Sequence, residues 1–268
     1  MALVAIFGAG VMGEALLSGL LRSGRTPEQI VITERRPDRA AELTAKYGVR
    51  VVDNIEAAKL ADELVVVVKP QDMGGLLEEI APHVRADAVL ISLAAGIPTT
   101  YLESKLPANM AVVRVMPNTP ALVDQGIAAI SAGAHCDDDH LAIADSMLSS
   151  VGKVVRVPEK QQDAVTAISG SGPAYIFYVV EAMIEAGVML GLPRPTANEL
   201  VVQTLFGAAT MLRETGEHPT VLRENVTSPA GTTAAAIRAL DDHKVRAAFL
   251  SAMEAARDRS EQLGLPSN

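Results

Sequence analysis

Leu3-Val-Ala-Ile-Phe7-Gly8-Ala-Gly10-Val-Met-Gly13-Glu14-Ala-Leu-Leu17 decides the fold class. Leu3–Phe7 is a short apolar run, as expected of a parallel strand buried on both faces. A glycine turn follows at once, and then the helical pattern Glu14–Leu21. Gly8, Gly10 and Gly13 spell G-x-G-x-x-G between that strand and that helix, the context a dinucleotide-binding turn requires. The first glycine makes the tight turn, the second lets a pyrophosphate reach the backbone, and the third lets helix pack on strand. The segment from Phe7 through Gly8, Ala9, Gly10 and Val11 to Met12 is therefore expected against the cofactor. The bland alternative is a glycine-rich strand-to-helix turn with no ligand.

Outward from this unit, Ile30–Thr33, Arg50–Val52, Leu64–Val68, Ala88–Leu93 and Met110–Val115 read as strands. Helical patterns at Pro37–Tyr47, Asp72–Ile80 and Thr99–Leu106 separate them. That alternation predicts an α/β fold, a Rossmann-type doubly wound parallel sheet. After Val157 the composition changes. Pro173–Leu190, Thr196–Glu214 and Val245–Leu263 are long and Ala-rich, with no strand-like alternation. The expected organisation is a dinucleotide-binding domain over 1–157 and an all-helical domain for substrate binding and dimerisation over 158–268. Val179, Val180, Met183, Ile184, Val188 and Met189 nearly encircle one of those helices, which predicts burial between subunits.

The chain has 268 residues, 49% of them hydrophobic, enough for one large core or two smaller ones. A net charge of -9 with no basic stripe excludes nucleic acid as the expected partner. One cysteine, Cys136, excludes an internal disulfide framework and fits a reducing, cytoplasmic setting. No secretory signal pattern is read at the N-terminus, and no run approaches the roughly 20 apolar residues of a membrane span. Cys136-Asp-Asp-Asp-His140 lacks the paired spacing of a zinc site and reads as an acidic helix start, so no metal is expected.

Glu34-Arg35-Arg36 ends the second strand, where a carboxylate favours NAD and an arginine favours NADP. Two guanidiniums suit a 2′-phosphate, or else form a solvated loop face. Val67-Val68-Lys69-Pro70 and Ala94-Ala95-Gly96 lie at strand ends, where open α/β sheets bind ligands, and the small residues leave room for a nicotinamide ring. Met116-Pro-Asn-Thr-Pro120 positions substrate or merely turns the chain. Ser169-Gly-Ser-Gly-Pro-Ala-Tyr175 is either an anion-binding turn or a site of close helix packing with Ser171 as N-cap. Glu224-Asn-Val-Thr-Ser-Pro-Ala-Gly-Thr-Thr233 precedes the apolar pattern Ala234–Leu240. A helix starting there aims free N–H groups at a carboxylate or phosphate. In the bland reading Ser228 or Thr232 is its N-cap.

Taken together these motifs resemble the pyrroline-5-carboxylate reductases over essentially the whole chain. The resemblance rests on Gly8–Met12, Val68-Lys69-Pro70, Ala94–Gly96, Met116–Pro120, Ser169–Ala174 and, most specifically, Asn225–Thr233. It implies hydride delivery from NADPH, with NADH possible, to the C=N carbon of a cyclic imino acid, giving proline. It implies a hydrogen bond from Thr233 to the imine nitrogen, and Ser228, Gly231 and Thr232 near the substrate carboxylate. Asn54 and Asn225 are implied against the cofactor and Glu159 near the substrate. It further implies a homodimer or a larger ring of dimers. The chain departs from the family pattern at Ala230, where many members carry glycine and where a methyl requires an ordinary backbone angle. It departs also at Glu34. The β-hydroxyacid dehydrogenases share the outline but place a catalytic lysine in the second domain, and this chain has none between Lys160 and Lys244. A non-catalytic NADP-sensing module would keep the glycines without needing the donors of Asn225–Thr233.

Overall fold

The computed structural model of the protein describes residues 2–264, so the expected domain limits at 1 and 268 fall outside the described residues. In chain order the first part runs β1 Val4–Phe7, α1 Val11–Arg22, β2 Ile30–Thr33, α2 Pro37–Tyr47, β3 Arg50–Val51, α3 Asn54–Leu60, β4 Glu63–Val66 and α4 Pro70–Ile80. It continues β5 Val89–Ser92, α5 Thr99–Lys105, β6 Ala111–Met116, β7 Gly126–Ala132, α6 Asp138–Leu148, β8 Gly152–Arg156 and α7 Gln162–Val165. The helices α8 Gly172–Met189, α9 Arg194–Thr215, α10 Pro219–Asn225, α11 Thr232–Asp242 and α12 Val245–Gly264 complete it.

The strands form one sheet in the order β3-β2-β1-β4-β5-β6-β7-β8. β1 to β6 are parallel, β7 is antiparallel to β6, and β8 is parallel to β7. Along β1, Val4 and Ile6 face Leu16, Leu17 and Leu20 of α1 and Leu43 of α2. Ala5 and Phe7 face the opposite layer, with Ala57 of α3 and Met73 and Leu77 of α4. Both faces are buried, which is why the central strands read as unbroken apolar runs. The chain leaves β1 toward β2 on one side and reaches β4 on the other, so the strand order switches at β1, where doubly wound sheets open a ligand cleft.

Two strands were absent from the sequence reading. β7 and β8 pair with each other, and a Cβ on Gly152 would lie 2.1 Å from the Gly126 carbonyl oxygen. Two glycines distant in sequence permit that approach, a pairing no local pattern announces.

By compactness the chain divides after Ser171, and the sheet unit takes back the chain from Ala255 onward. The second unit is Gly172–Glu254. This differs from a division at 157/158, and buried polar contacts explain it. Gln162 is fully buried and donates to Ser131 Oγ at 2.8 Å on β7. Ser260 of α12 donates to Asp163 at 2.6 Å. Ser169–Tyr175 is not a capped helix start. Thr166–Gly170 is a π-helical turn closed by Ser171 N–H to Thr166 O at 2.8 Å, and Ser169 Oγ–H bonds back to Val165 O. Gly170 gives room to Met116, whose Cε would lie 2.3 Å from a Cβ there.

Within the second unit α8 packs on α9, with Gly187 against Ala197. Phe177, Tyr178, Met189, Leu200 and Phe206 are exposed, Tyr178 at 76%. Contrary to the sequence reading, the stretch Glu159–Met189 is long and apolar enough by length and composition to cross a membrane, and only 6% of its most apolar window is buried.

Candidate active site

The first turn carries out the division of labour that its glycines promise. Gly8 sits at φ +95 and is packed by Val67 and Val68 of the β4 end, so both angle and space require glycine. Gly13 belongs to the helix–strand contact, because a Cβ there would lie 2.3 Å from Gly8 O. Around the Cβ position of Gly10 nothing lies within 4 Å. Gly10 is the N-cap of α1 with no side-chain cap, so the first N–H groups of that helix face open space. An uncapped helix start beside a bare glycine fits a pyrophosphate, and the residues present thus suit a dinucleotide. Val11 is exposed beside it, while Met12 leans on the core. Phe7 and Ala9 are fully buried, which limits them to the floor of the turn.

Next to the turn, a cavity of about 600 Å³ opens at the ends of β1, β2 and β4. Seven expected residues meet there: Gly8, Arg35, Arg36, Asn54, Val67, Val68 and Lys69. Asn54 begins α3 and donates to Glu79 at 2.8 Å. Lys69 is the N-cap of α4, with Pro70 in the first turn. Sequence reasoning missed Thr33, Asp53, Gln71, Asp72 and Glu79, which also line the cavity. They come from the end of β2, the turn before α3 and helix α4, and only the sheet order brings them together.

At Glu34-Arg35-Arg36 the carboxylate is engaged within its own loop. The Glu34 carboxylate accepts from the Arg36 backbone N–H at 3.0 Å and lies 3.4 Å from its Nε. Its Oε1 is thereby turned toward Arg36 of its own loop, while the residue still lines the cavity. Arg35, exposed, lies 3.7 Å from Asp72 across the cavity rim. Both guanidiniums thus border the cavity, each beside a carboxylate, Asp72 for Arg35 and Glu34 for Arg36.

At the end of β5, Ala94 and Gly96 are buried and Ala95 is exposed. Gly96 takes φ +76. Asn118 of the Met116–Pro120 segment accepts from Ile127 N–H at 2.9 Å and donates to Ser169 O at 3.2 Å, so it turns the chain. The Glu159 carboxylate is engaged by three donors within the sheet unit. It accepts from Thr99 N–H at 2.7 Å, Thr99 Oγ1–H at 2.6 Å and Arg114 Nη1 at 3.2 Å.

In the second unit, α10 ends at Asn225 and a turn leads to α11. The N-cap of α11 is Gly231, with no side-chain cap, and not Ser228 or Thr232 as the bland reading has it. Among the described residues, the hydroxyls of Ser228, Thr232 and Thr233 have no hydrogen-bond partner. A Cβ on Gly231 would lie 2.6 Å from Ser228 Oγ and 3.1 Å from Ser228 O, so glycine leaves room for that hydroxyl. The expectation of an ordinary angle at Ala230 is corrected: it stands at φ 57, in the left-handed region. The turn needs that angle to reverse the chain between Pro229 and the helix start. α11 therefore begins with unfilled N–H groups, a partial positive charge and three free hydroxyls, an arrangement suited to an anion.

Comparison with known proteins agrees with this chemistry. Residues 159–263 match the family described as pyrroline-5-carboxylate reductase dimerisation, and residues 3–96 match NADP oxidoreductase, coenzyme F420-dependent. The chain is 47% identical to pyrroline-5-carboxylate reductase of Corynebacterium melassecola, covering 98% of this chain and 99% of that protein. A pyrroline-5-carboxylate reductase structure from Coxiella burnetii superposes with a TM-score of 0.93 at 37% identity, over 98% of this chain and 99% of that one. Pyrroline carboxylate reductase from Plasmodium falciparum, solved with NADP bound, gives 0.89 at 29% identity over 98% of both chains.

Proposed function

The chain belongs to the pyrroline-5-carboxylate reductase family, and from that premise we propose that it reduces 1-pyrroline-5-carboxylate to L-proline with NADPH, or with NADH, as the last step of proline biosynthesis. When bound, the reduced nicotinamide supplies the hydride. The C=N carbon of the substrate would gain that hydride and the ring nitrogen a proton from solvent water, so that the imine becomes a secondary amine and the nicotinamide is left oxidised. The first-turn N–H groups of α11, with Ser228, Gly231 and Thr232, hold the substrate carboxylate. Thr233 donates a hydrogen bond to the imine nitrogen, orienting and polarising it. Gly8 and Gly10, with the start of α1, hold the pyrophosphate, and Phe7, Ala9, Val11 and Met12 shape that turn. Arg35 and Arg36 hold the 2′-phosphate, Asn54 and Val67–Pro70 line the adenosine side, and Ala94–Gly96 border the nicotinamide. Asn225 is a further cofactor contact in this reading.

The observation that carries this reading is the start of α11 at Gly231 with no side-chain cap and three unpartnered hydroxyls. Loss of NADPH absorbance on adding pyrroline-5-carboxylate tests the reaction. Thr233→Val keeps shape and removes the hydroxyl, and kcat/KM should fall about ten- to a thousandfold, the range for one donor to developing charge. Wild-type kinetics in that variant would remove Thr233 from the mechanism.

Functionally, residues 1–157 bind the dinucleotide and the helices from 158 bind substrate and pair. A homodimer, alone or within a larger ring, is supported by the exposed Phe177, Tyr178 and Phe206 inside the segment matched to the dimerisation family. A second copy, and not lipid, covers that face. A monodisperse monomer at micromolar concentration would overturn this. A cytoplasmic location is supported by the single thiol, Cys136, half-buried and unpaired with any second cysteine.

A further inference from the structure

Helix α5 begins directly after the loop that follows β5, and its N-cap is Pro98, which offers no side-chain acceptor. The capping carboxylate comes instead from Glu159, distant in sequence. Glu159 takes both donors of Thr99, the backbone N–H at 2.7 Å and the hydroxyl at 2.6 Å. Arg114 of β6 donates to the same carboxylate at 3.2 Å, and Arg114 is the register partner of Ser92, the last residue of β5. Thr99 is buried. Three donors thus engage one carboxylate, leaving little of its acceptor capacity for another ligand. The loop is held at two further points. Leu93 N–H donates to Val66 O at 2.9 Å, and Gly96 lies under the last turn of α12, where a Cβ on Gly264 would sit 2.8 Å from Gly96 O.

We propose that Glu159 is a positioning residue for hydride transfer. By pinning Thr99 it fixes the downstream end of the Ala94–Gly96 loop, and so sets the depth at which the nicotinamide ring lies. This rests on the reading that the loop borders the nicotinamide. Its action runs through Thr99 and Arg114 and not through contact with substrate. Hydride transfer is steep in donor–acceptor distance, so a small slackening of this loop slows the chemical step without removing any binding contact.

The test uses the full-length protein with Thr99→Val, Glu159→Gln and the double variant. Thr99→Val keeps volume and the Arg114–Glu159 pair and deletes one hydrogen bond, so it serves should Glu159→Gln fail to fold. The expected result for each single variant is a kcat lowered about three- to thirtyfold, with KM for pyrroline-5-carboxylate and the NADP⁺ dissociation constant within about twofold of the parent. With NADPH deuterated at the transferring position, the isotope effect on kcat should rise, because the chemical step has become more nearly rate-limiting. The double variant should be no slower than the slower single, as groups acting through one bond are not additive. A raised substrate KM in Glu159→Gln but not in Thr99→Val would overturn the proposal in favour of direct contact. A change confined to melting temperature, with kcat and isotope effect unmoved, would overturn it in favour of a purely structural tie. Failure of the unaltered protein to oxidise NADPH with this substrate would instead defeat the functional reading beneath it.

Discussion

Replacing Ala230 with glycine should make this protein more stable. Ala230 stands at φ 57, between Pro229 and the Gly231 N-cap of α11. An L-residue in that region brings Cβ against the following carbonyl and costs about 1–2 kcal/mol. Glycine removes that cost but loosens the unfolded chain, which takes back about 0.4–1 kcal/mol. Ala230 is exposed, so the deleted methyl gives up little burial. The balance is a gain of about 0.5–1 kcal/mol, or about 1–3 °C in melting temperature for a chain of this size. Ala230→Val should move the other way, since a β-branched side chain tolerates the left-handed region less well than alanine. Chemical denaturation of the ligand-free protein at one fixed concentration measures both, because an oligomer's apparent stability depends on concentration. The kcat/KM of Ala230→Gly should stay near the parent value, as the turn keeps its conformation. A lowered midpoint for Ala230→Gly, or a raised one for Ala230→Val, would refute the left-handed assignment.

The glycines of the first turn should separate binding from stability. Gly10→Ala places a methyl in open space, so stability should stay within about 0.5 kcal/mol of the parent while NADPH binding weakens markedly by fluorescence titration. Gly13→Ala drives a Cβ against Gly8 O at 2.3 Å and should cost about 1–3 kcal/mol in denaturant midpoint measurements. The Arg35→Ala, Arg36→Ala double variant should raise KM for NADPH much more than KM for NADH in steady-state assays, whereas an equal rise for both would deny the 2′-phosphate role. Glu14 provides a pH signature. Burial pushes its carboxyl up, but hydrogen bonds from Lys46, Tyr47 and Arg39 outweigh that and hold it at about 2, below the ordinary 4.5. Its stabilising contribution is complete above pH 4.5 and disappears as pH falls toward 2; after allowance for solvent screening it is about 1 kcal/mol. Glu14→Gln should therefore be less stable than the parent at neutral pH, with the gap closing as the pH falls through that window.

The sequence alone determined the first half of the fold and the glycine turn that opens it. Continuous apolar runs mark β1, β2, β4, β5 and β6 because parallel strands buried on both faces admit no polar alternation. The three glycines of the first turn are legible because each answers a local steric demand. The change to long Ala-rich helices after Val157 is likewise a local signal. What only the tertiary structure decided depends on partners remote in the chain. β7 and β8 are strands because Gly126 and Gly152 let two distant segments close on each other. The engagement of Glu159 arises from Thr99 and Arg114, which no spacing in the sequence relates to it. The Glu34 carboxylate could be assigned only once its acceptor oxygen was seen turned toward Arg36. Ala230 shows the limit most plainly. Propensity argues against a left-handed alanine, yet the turn between α10 and α11 holds Ala230 at φ 57, a local cost of about 1–2 kcal/mol that no sequence pattern announces.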